Sequence, residues 1–162
     1  MSQKPLPALL LVWFTLLLAL CLQVMPLPDA WLVWRPEWLG LMLIYWCVSA
    51  PQRVGIFHGF ALGLLLDLIE GSPLGQNALV LSLLAYLALL VHQRMRAYSL
   101  AQQSILVLVL LGIAQLLEQW LRTMFGPFSI NLAFLFSALI GAVLWPWLYT
   151  MLQALRRKLG GL

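Results

Sequence analysis

The chain has 162 residues, of which 64% are hydrophobic and only 9% are charged, and its mean hydropathy is +0.98. Soluble domains carry about a quarter charged residues, so this composition excludes an ordinary soluble protein and predicts a membrane-embedded one. The net charge of +4 does not indicate nucleic-acid binding, because the cations lie at the ends of apolar segments, as membrane orientation requires.

Six apolar segments are predicted to form helices, each long enough or nearly long enough to cross about 30 Å of hydrocarbon. Their expected bounds are 7–25, 37–51, 54–70, 76–93, 101–123 and 130–153. The connections are short and rich in Pro, Gly or charge, which is typical of turns between antiparallel helices. The sequence therefore predicts an all-α integral membrane protein, a single domain (1–162) built as a six-transmembrane-helix bundle, with the first segment retained as a helix.

The distribution of Lys and Arg predicts the orientation of the bundle. One side would collect seven cations: Lys4, Arg53, Arg94, Arg96, Arg156, Arg157 and Lys158. The other side would hold only Arg35 and Arg122, together with all five acids: Asp29, Glu37, Asp67, Glu70 and Glu118. Since cytoplasmic loops are enriched in Lys and Arg, both termini are expected in the cytoplasm. Aromatic residues near the segment ends, among them Trp46 and Trp145, are expected at the membrane interfaces.

The third segment carries a stripe of small residues that leads to a carboxylate. Gly55, Gly59, Gly63 and Asp67 are spaced by four and therefore share one helix face. Small residues at this spacing let a neighbouring backbone approach closely. We expect a tight helix–helix seam, within the bundle rather than with a partner.

Asp67 lies in the last turn of that helix, where a carboxylate in low dielectric is costly unless it is paired. Only Arg35 and Arg122 are available on its side, so we expect Asp67 to pair with one of them, Arg35 first. Glu70 is expected to reach interfacial water. The alternative is that both acids are solvated and only end the helix.

The turn after Glu70 has its own signals. Gly71 and Gly75 permit the positive φ angles of a tight turn. Ser72 is expected as the cap of the fourth helix and Pro73 as its first-turn proline.

The fifth segment presents a polar face in its outer half. Gln115, Glu118, Gln119 and Arg122 lie at i, i+3, i+4 and i+7, and Glu118 and Arg122 have the favourable spacing for an ion pair. We expect this face to meet a cavity, the bundle interior or a partner rather than lipid. The alternative is a self-satisfied ion pair close to the headgroups.

Two prolines and a basic cluster are further residues with an expected structural or functional role. Pro36 is expected at the first position of the second helix, where its missing amide proton costs nothing. Pro146 is expected to kink the sixth helix. The cluster Arg156, Arg157 and Lys158 suits anionic lipid at the inner leaflet.

No catalytic signature accompanies these features. The sequence offers no arrangement of nucleophile, base and oxyanion donors, no phosphate-binding loop and no catalytic carboxylate pair. No metal ligand spacing is present either. We therefore expect no enzymatic activity and no cofactor, and a membrane-embedded enzyme is the weakest of the readings.

Residues 22–79 resemble the rod shape-determining protein MreD family of Gram-negative bacteria. The matching marks there are Pro26, Arg35-Pro36 followed by Trp38, Tyr45-Trp46, Pro51-x-Arg53, Gly59, Gly63, Asp67, Gly71 and Gly75. The "LWPW" stretch at 144–147 matches near the C-terminal end, whereas the polar face of the fifth segment has no counterpart to carry over.

The resemblance implies a non-enzymatic inner-membrane component of the cell-elongation machinery. Its expected partner is the bitopic protein MreC, in a complex with MreB, RodA and a class B penicillin-binding protein. The implied fold is similar to the substrate-binding components of energy-coupling-factor vitamin transporters. That similarity keeps open an alternative function, a transporter-type protein that binds a small molecule or lipid precursor in an outer-facing pocket.

Overall fold

The computed structural model describes residues 5–32, 34–127 and 132–159. Within these ranges the chain forms seven helices joined by turns. They are α1 (Pro5–Val24), α2 (Asp29–Leu32), α3 (Trp38–Ser49), α4 (Ile56–Glu70), α5 (Gln76–Ala97), α6 (Leu100–Phe125) and α7 (Ala133–Lys158).

Each of the six predicted segments contains one helix of 12 or more residues, and the differences lie at the ends. The single turn α2 lies in a stretch that the sequence predicts as a loop. Helices α5 and α7 continue past the predicted ends at 93 and 153 to Ala97 and Lys158. Hydropathy marks only the apolar part of a helix, whereas the Arg, Met, Ala, Leu and Lys residues that follow are good helix formers and prolong it. The predicted start at 130 lies outside the described residues.

Three helices, α5, α6 and α7, are long and apolar enough to cross a membrane. The apolar part of α1 (Leu9–Val24) and α3 are shorter, and α4 has 15 residues, a rise of about 22 Å. These apolar helices indicate a multi-pass membrane protein, and length and composition support three of them as membrane spans.

Helix α3 is the centre of the bundle. Ten of its twelve residues, 39–48, are buried, and it packs against α1, α5, α6 and α7. Twelve residues rise only about 18 Å, less than the thickness of the hydrocarbon layer. A short helix that is apolar on all sides is typical of a protein core, and α3 is enclosed by its neighbours rather than by lipid.

The C-terminal end of α3 is bonded by arginines from two other helices. Arg96 of α5 donates from Nε to the carbonyl of Val48 at 2.8 Å and from Nη2 to that of Ser49 at 2.9 Å. Arg156 of α7 donates to the Ser49 carbonyl at 3.4 Å. Cations at a helix C-terminus satisfy its free carbonyls and oppose the negative end of the helix dipole.

Trp46 and Trp145 do not belong to a lipid-facing aromatic belt, because both indoles are buried inside the bundle. The Trp46 indole N–H donates to Thr15 Oγ1 at 2.8 Å, and that of Trp145 donates to Gln103 Oε1 at 3.2 Å. A buried indole needs an acceptor for its N–H, and the polar side chains of α1 and α6 supply one inside the bundle.

The glycine stripe of α4 faces α5. A Cβ at Gly59 would lie 2.6 Å from the carbonyl oxygen of Leu81, and one at Gly63 would lie 2.5 Å from the backbone nitrogen of Ala78. At Gly55 the nearest atom is a Leu89 methyl at 3.8 Å, an ordinary contact. The tight seam is therefore internal and depends on Gly59 and Gly63.

We predict that Gly63→Ala lowers the unfolding temperature in detergent strongly, by a cost of about 1–3 kcal/mol, because the added methyl meets backbone that cannot move aside. Gly112→Ala is the matched control, since nothing lies within 4 Å of that position in α6. It should be neutral or stabilising by up to about 1 kcal/mol. Equal melting temperatures for the two variants would contradict the seam.

Candidate functional site

A polar cavity of about 460 Å³ lies at the N-terminal end of α3. Its lining includes ten polar side chains from five helices and the segment before α3: Gln23, Arg35, Glu37, Glu70, Asn77, Gln115, Glu118, Gln119, Arg122 and Ser137. Apolar contacts come from Leu66, Ala133 and Phe134. A polar space of this size inside an apolar bundle marks the leading candidate site.

The polar face predicted on the fifth segment lines this cavity with all four of its residues. Arg122 and Glu118 form the expected ion pair, with Nη2 and Oε1 2.6 Å apart. The Arg122 side chain is 57% exposed, so the pair contributes little to stability. The same face therefore both forms a pair and borders a cavity.

The cavity also gathers residues that sequence reasoning did not group with this face: Gln23 of α1, Asn77 of α5 and Ser137 of α7. Gln23 and Ser137 each stand as a polar residue within an apolar run, which is the signal that could have identified them. Periodicity assigns residues to a face of one helix, but it does not say which other helices that face meets.

Hydrogen bonds tie part of the lining together. Gln115 Nε2 donates to Glu37 Oε2 at 3.3 Å, and Ser137 Oγ donates to the carbonyl of Arg35 at 2.7 Å. Asn77 Nδ2 donates to Glu70 Oε2 at 3.4 Å. Glu70 itself is exposed, consistent with access to water.

Other buried atoms of the lining have no hydrogen-bond partner in the described part of the chain. They are the Nε and Nη2 of Arg35 and the Oε1 atoms of Gln23 and Gln115. Gln115 is only 6% exposed. Leaving such atoms unpaired is costly, so the cavity is suited to hold water or a polar ligand. Among the described residues, no three His, Cys, Asp or Glu side chains lie close enough to bind a metal ion.

Asp67 does not pair with an arginine, and this expectation is wrong. The residue is 1% exposed. Its carboxylate accepts hydrogen bonds from Ser72 Oγ at 2.8 Å and from the backbone N–H groups of Gly75, Asn77 and Ala78 at 2.9, 3.0 and 3.5 Å.

These bonds place the Asp67 carboxylate on the N-terminus of α5. The free N–H groups and the positive end of the helix dipole lie there. Gly75, the residue before α5, has no side chain to bond them. The carboxylate of α4 therefore does so, and its charge is balanced by backbone donors rather than by a cation.

The turn between α4 and α5 has the two expected positive φ angles, 68° at Gly71 and 96° at Gly75. Ser72 and Pro73 have other roles than predicted, because α5 begins three residues after Pro73. The Ser72 hydroxyl bonds Asp67, and the Pro73 carbonyl accepts the N–H of Gln76 at 3.2 Å.

Pro36 does not lie at its expected position, whereas Pro146 lies inside a helix as expected. Pro36 was expected at the first position of the second helix, but α3 begins at Trp38 after the capping residue Glu37. The Trp38 N–H donates to the Pro36 carbonyl at 3.0 Å, so Pro36 belongs to the turn that precedes the helix. Pro146 lies inside α7, and the kink there stays a prediction.

The charged residues separate between the two ends of α3. Arg53, Arg96 and Arg156 line a second cavity of about 360 Å³ beside the C-terminal end of α3. Glu37, Glu70 and Glu118 line the polar cavity at its N-terminal end. The expected topology likewise puts these three arginines on one side of the membrane and the three glutamates on the other. Lys4, which is expected on the side of the three arginines, lies outside the described residues.

We predict that Asp67→Ala lowers the free energy of unfolding by about 3 kcal/mol or more, because it removes several charge-assisted bonds and leaves buried N–H groups unpaired. Asp67→Asn should cost less, since one acceptor oxygen remains. Glu70→Gln, one turn away and exposed, is the control and should change stability by less than about 0.5 kcal/mol. Thermal unfolding in detergent measures all three, and an Asp67→Ala protein as stable as the control would contradict the assignment.

We further predict that the effects of Asp67→Asn and Arg35→Gln on the free energy of unfolding add in the double variant, because the hydrogen bonds of the Asp67 carboxylate come from Ser72 and backbone amides and not from Arg35. If the double variant is as stable as the less stable of the two single variants, the two side chains interact, and that result would support an ion pair between them.

The family model described as rod shape-determining protein MreD matches residues 4–155. A curated relative from Haemophilus influenzae, named rod shape-determining protein MreD, is 38% identical over 158 residues, covering 92% of this chain and 94% of its own. No solved structure matches. The match over nearly the whole length confirms the predicted family: this chain belongs to the rod shape-determining protein MreD family and has a role in cell shape.

Proposed function

We propose that this protein is a non-enzymatic scaffold and regulator of the cell-elongation complex that binds the bitopic protein MreC. In this proposal it lies in the bacterial inner membrane with six crossings and both termini in the cytoplasm. MreB, RodA and a class B penicillin-binding protein act in the same complex. Membership of a shape-determining family supports the cellular role, and the partners are those that the resemblance implies.

The observation that carries the proposal is the nature of the accessible surface. The connections between α3 and α4, α4 and α5, and α5 and α6 span only residues 50–55, 71–75 and 98–99. The long helices instead expose large apolar side chains, for example Phe14 at 67%, Phe57 at 88% and Val143 at 72%. A partner therefore has to dock mainly through helices in the membrane, and a bitopic protein offers a single helix suited to that contact.

The proposed mechanism is a shift of populations. A partner helix bound to one face of a rigid bundle is held in one position and orientation. If that position is shared with the active state of the synthase, the differential contacts favour that state.

The short helices α3 and α4 are compatible with six crossings. Helix α3 is enclosed by protein, and polar cavities border both of its ends, so water near those ends shortens the apolar distance that the backbone has to cross. Arg157 and Lys158 are exposed in the last turn of α7 and suit anionic lipid headgroups.

We predict that photo-crosslinking residues introduced at exposed positions of the bundle capture MreC on one helix face only. Phe14, Phe57, Ile105 and Val143 sample α1, α4, α6 and α7. Leu62, on α4 but 0% exposed, is the matched control and should give no adduct. Crosslinks at no exposed position in cells that contain both proteins would contradict a helix-mediated scaffold.

A second candidate function is favoured by the polar cavity. Its buried, unpartnered Arg35 nitrogens and Gln115 oxygen suit a small polar molecule or lipid precursor, as in the transporter components to which the fold is proposed to be similar. We predict for this candidate that Arg35→Gln with Gln115→Leu abolishes retention of a discrete ligand, detected by mass spectrometry, without loss of MreC. If the protein carries no ligand after mild extraction, the result would contradict the ligand-binding function and favour the scaffold.

A further inference from the structure

Two cavities flank the C-terminal end of α3, and we call this region the arginine end. The first, of about 360 Å³, is lined by Arg53, Arg96 and Arg156 together with His92. The second, of about 280 Å³, is lined by Tyr45, Tyr149 and Gln153 and again by Arg96 and Arg156. Arg96 and Arg156 stand between the two cavities and border both.

The arginine end has no acidic side chain. The sequence contains five acids in all. Glu37, Glu70 and Glu118 line the polar cavity at the opposite end of α3, Asp67 bonds the first turn of α5, and Asp29 begins α2, which precedes α3. Neither cavity of the arginine end is lined by a carboxylate.

The α3 carbonyls only partly balance this positive charge. A helix C-terminus is equivalent to about half a negative charge, whereas Arg53, Arg96 and Arg156 carry a full positive charge each. An excess of cations at the edge of a low-dielectric bundle is stabilised by an anion.

Two buried donors point to the same conclusion. The hydroxyl of Tyr45 and the Nε of Arg156 make no hydrogen bond of normal geometry in the described part of the protein, and the hydroxyl faces the side chains of Ser49 and Arg156. Both Tyr45 and Arg156 line the 280 Å³ cavity. Tyr45 is 0% exposed, and its ring packs edge-on against Trp46 and Tyr149, with centroids 5.2 and 5.6 Å apart. The hydroxyl is thus held near the Arg156 side chain, and its residue lines a cavity that Arg96 also lines.

We propose that the arginine end binds a phosphate group, with Arg96, Arg156 and the Tyr45 hydroxyl as its donors. Phosphate oxygens accept several hydrogen bonds at once and match the planar fork of arginine. The group can belong to an anionic lipid headgroup or be free phosphate.

This site differs from the exposed basic cluster at the end of α7. Arg157 and Lys158 line neither cavity and attract anionic lipid only by general electrostatics. Arg156 and Arg157 are adjacent in sequence, so the chain itself supplies the matched pair of variants. The proposal rests on the bundle alone and does not depend on MreC binding.

The test measures thermal unfolding of the full chain in detergent against increasing phosphatidylglycerol, phosphatidylcholine or inorganic phosphate. Salt is kept at about 1 M, where the Debye length of about 3 Å suppresses general attraction. Phosphatidylglycerol should raise the unfolding temperature in a saturable way and phosphatidylcholine should not. Stabilisation by inorganic phosphate, with phosphatidylglycerol no better, would support the site with free phosphate as its source.

The variants then locate the site. Arg156→Gln should weaken the apparent affinity about tenfold, the usual effect of losing a charge-assisted hydrogen bond. Arg157→Gln should change it by less than about twofold, since its contribution is screened. Tyr45→Phe keeps the ring packing and removes only the hydroxyl, so it should retain the unfolding temperature of the unliganded protein and weaken affinity by about threefold or more. Equal effects of Arg156→Gln and Arg157→Gln, an unchanged affinity of Tyr45→Phe, or no stabilisation by either phosphate source would overturn the proposal.

Discussion

The structure depends on how helix ends are satisfied where water is scarce. Backbone N–H and C=O groups at a helix terminus have no partner within their own helix, and in a bilayer each unpaired group costs several kcal/mol. In this protein charged side chains of neighbouring helices supply the partners. The Asp67 carboxylate of α4 bonds the first turn of α5, and Arg96 of α5 bonds the last carbonyls of α3.

This constraint accounts for the arrangement of the bundle. Gly59 and Gly63 let α4 lie against the backbone of α5, with Asp67 one turn further along the same face. A helix as short as α3 can form the centre because its C-terminal end is bonded by Arg96 and Arg156. Glu37, Glu70 and Glu118 line the cavity at one end of α3. Arg53, Arg96 and Arg156 line the cavity at the other end.

The sequence predicted the helices, the polar face of α6 and the glycine seam, because each is a periodic signal within one segment. It mispredicted the partner of Asp67. Counting charges offered Arg35 or Arg122, but the donors are the Ser72 hydroxyl and backbone amides of the turn and of α5. Helix α5 lies close because Gly63 packs on Ala78. Similarly, the buried positions of Trp46 and Trp145 depend on acceptors in α1 and α6, and no single segment reveals such pairings between helices.

The polar side chains differ in whether their atoms have hydrogen-bond partners within the chain, and this difference divides structural residues from candidate functional ones. Asp67, Arg96 and Gln103 hold the bundle together through partners within the chain, whereas Arg35, Gln115 and Tyr45 keep buried atoms unpartnered in the described residues and border cavities.

Hydrogen–deuterium exchange tests most directly the central claim that the Asp67 carboxylate bonds the N-terminus of α5. In Asp67→Ala the amides of Gly75 and Asn77 should lose protection from exchange, while the amides in the second half of α5 remain protected. Unchanged protection at Gly75 and Asn77 would contradict the account.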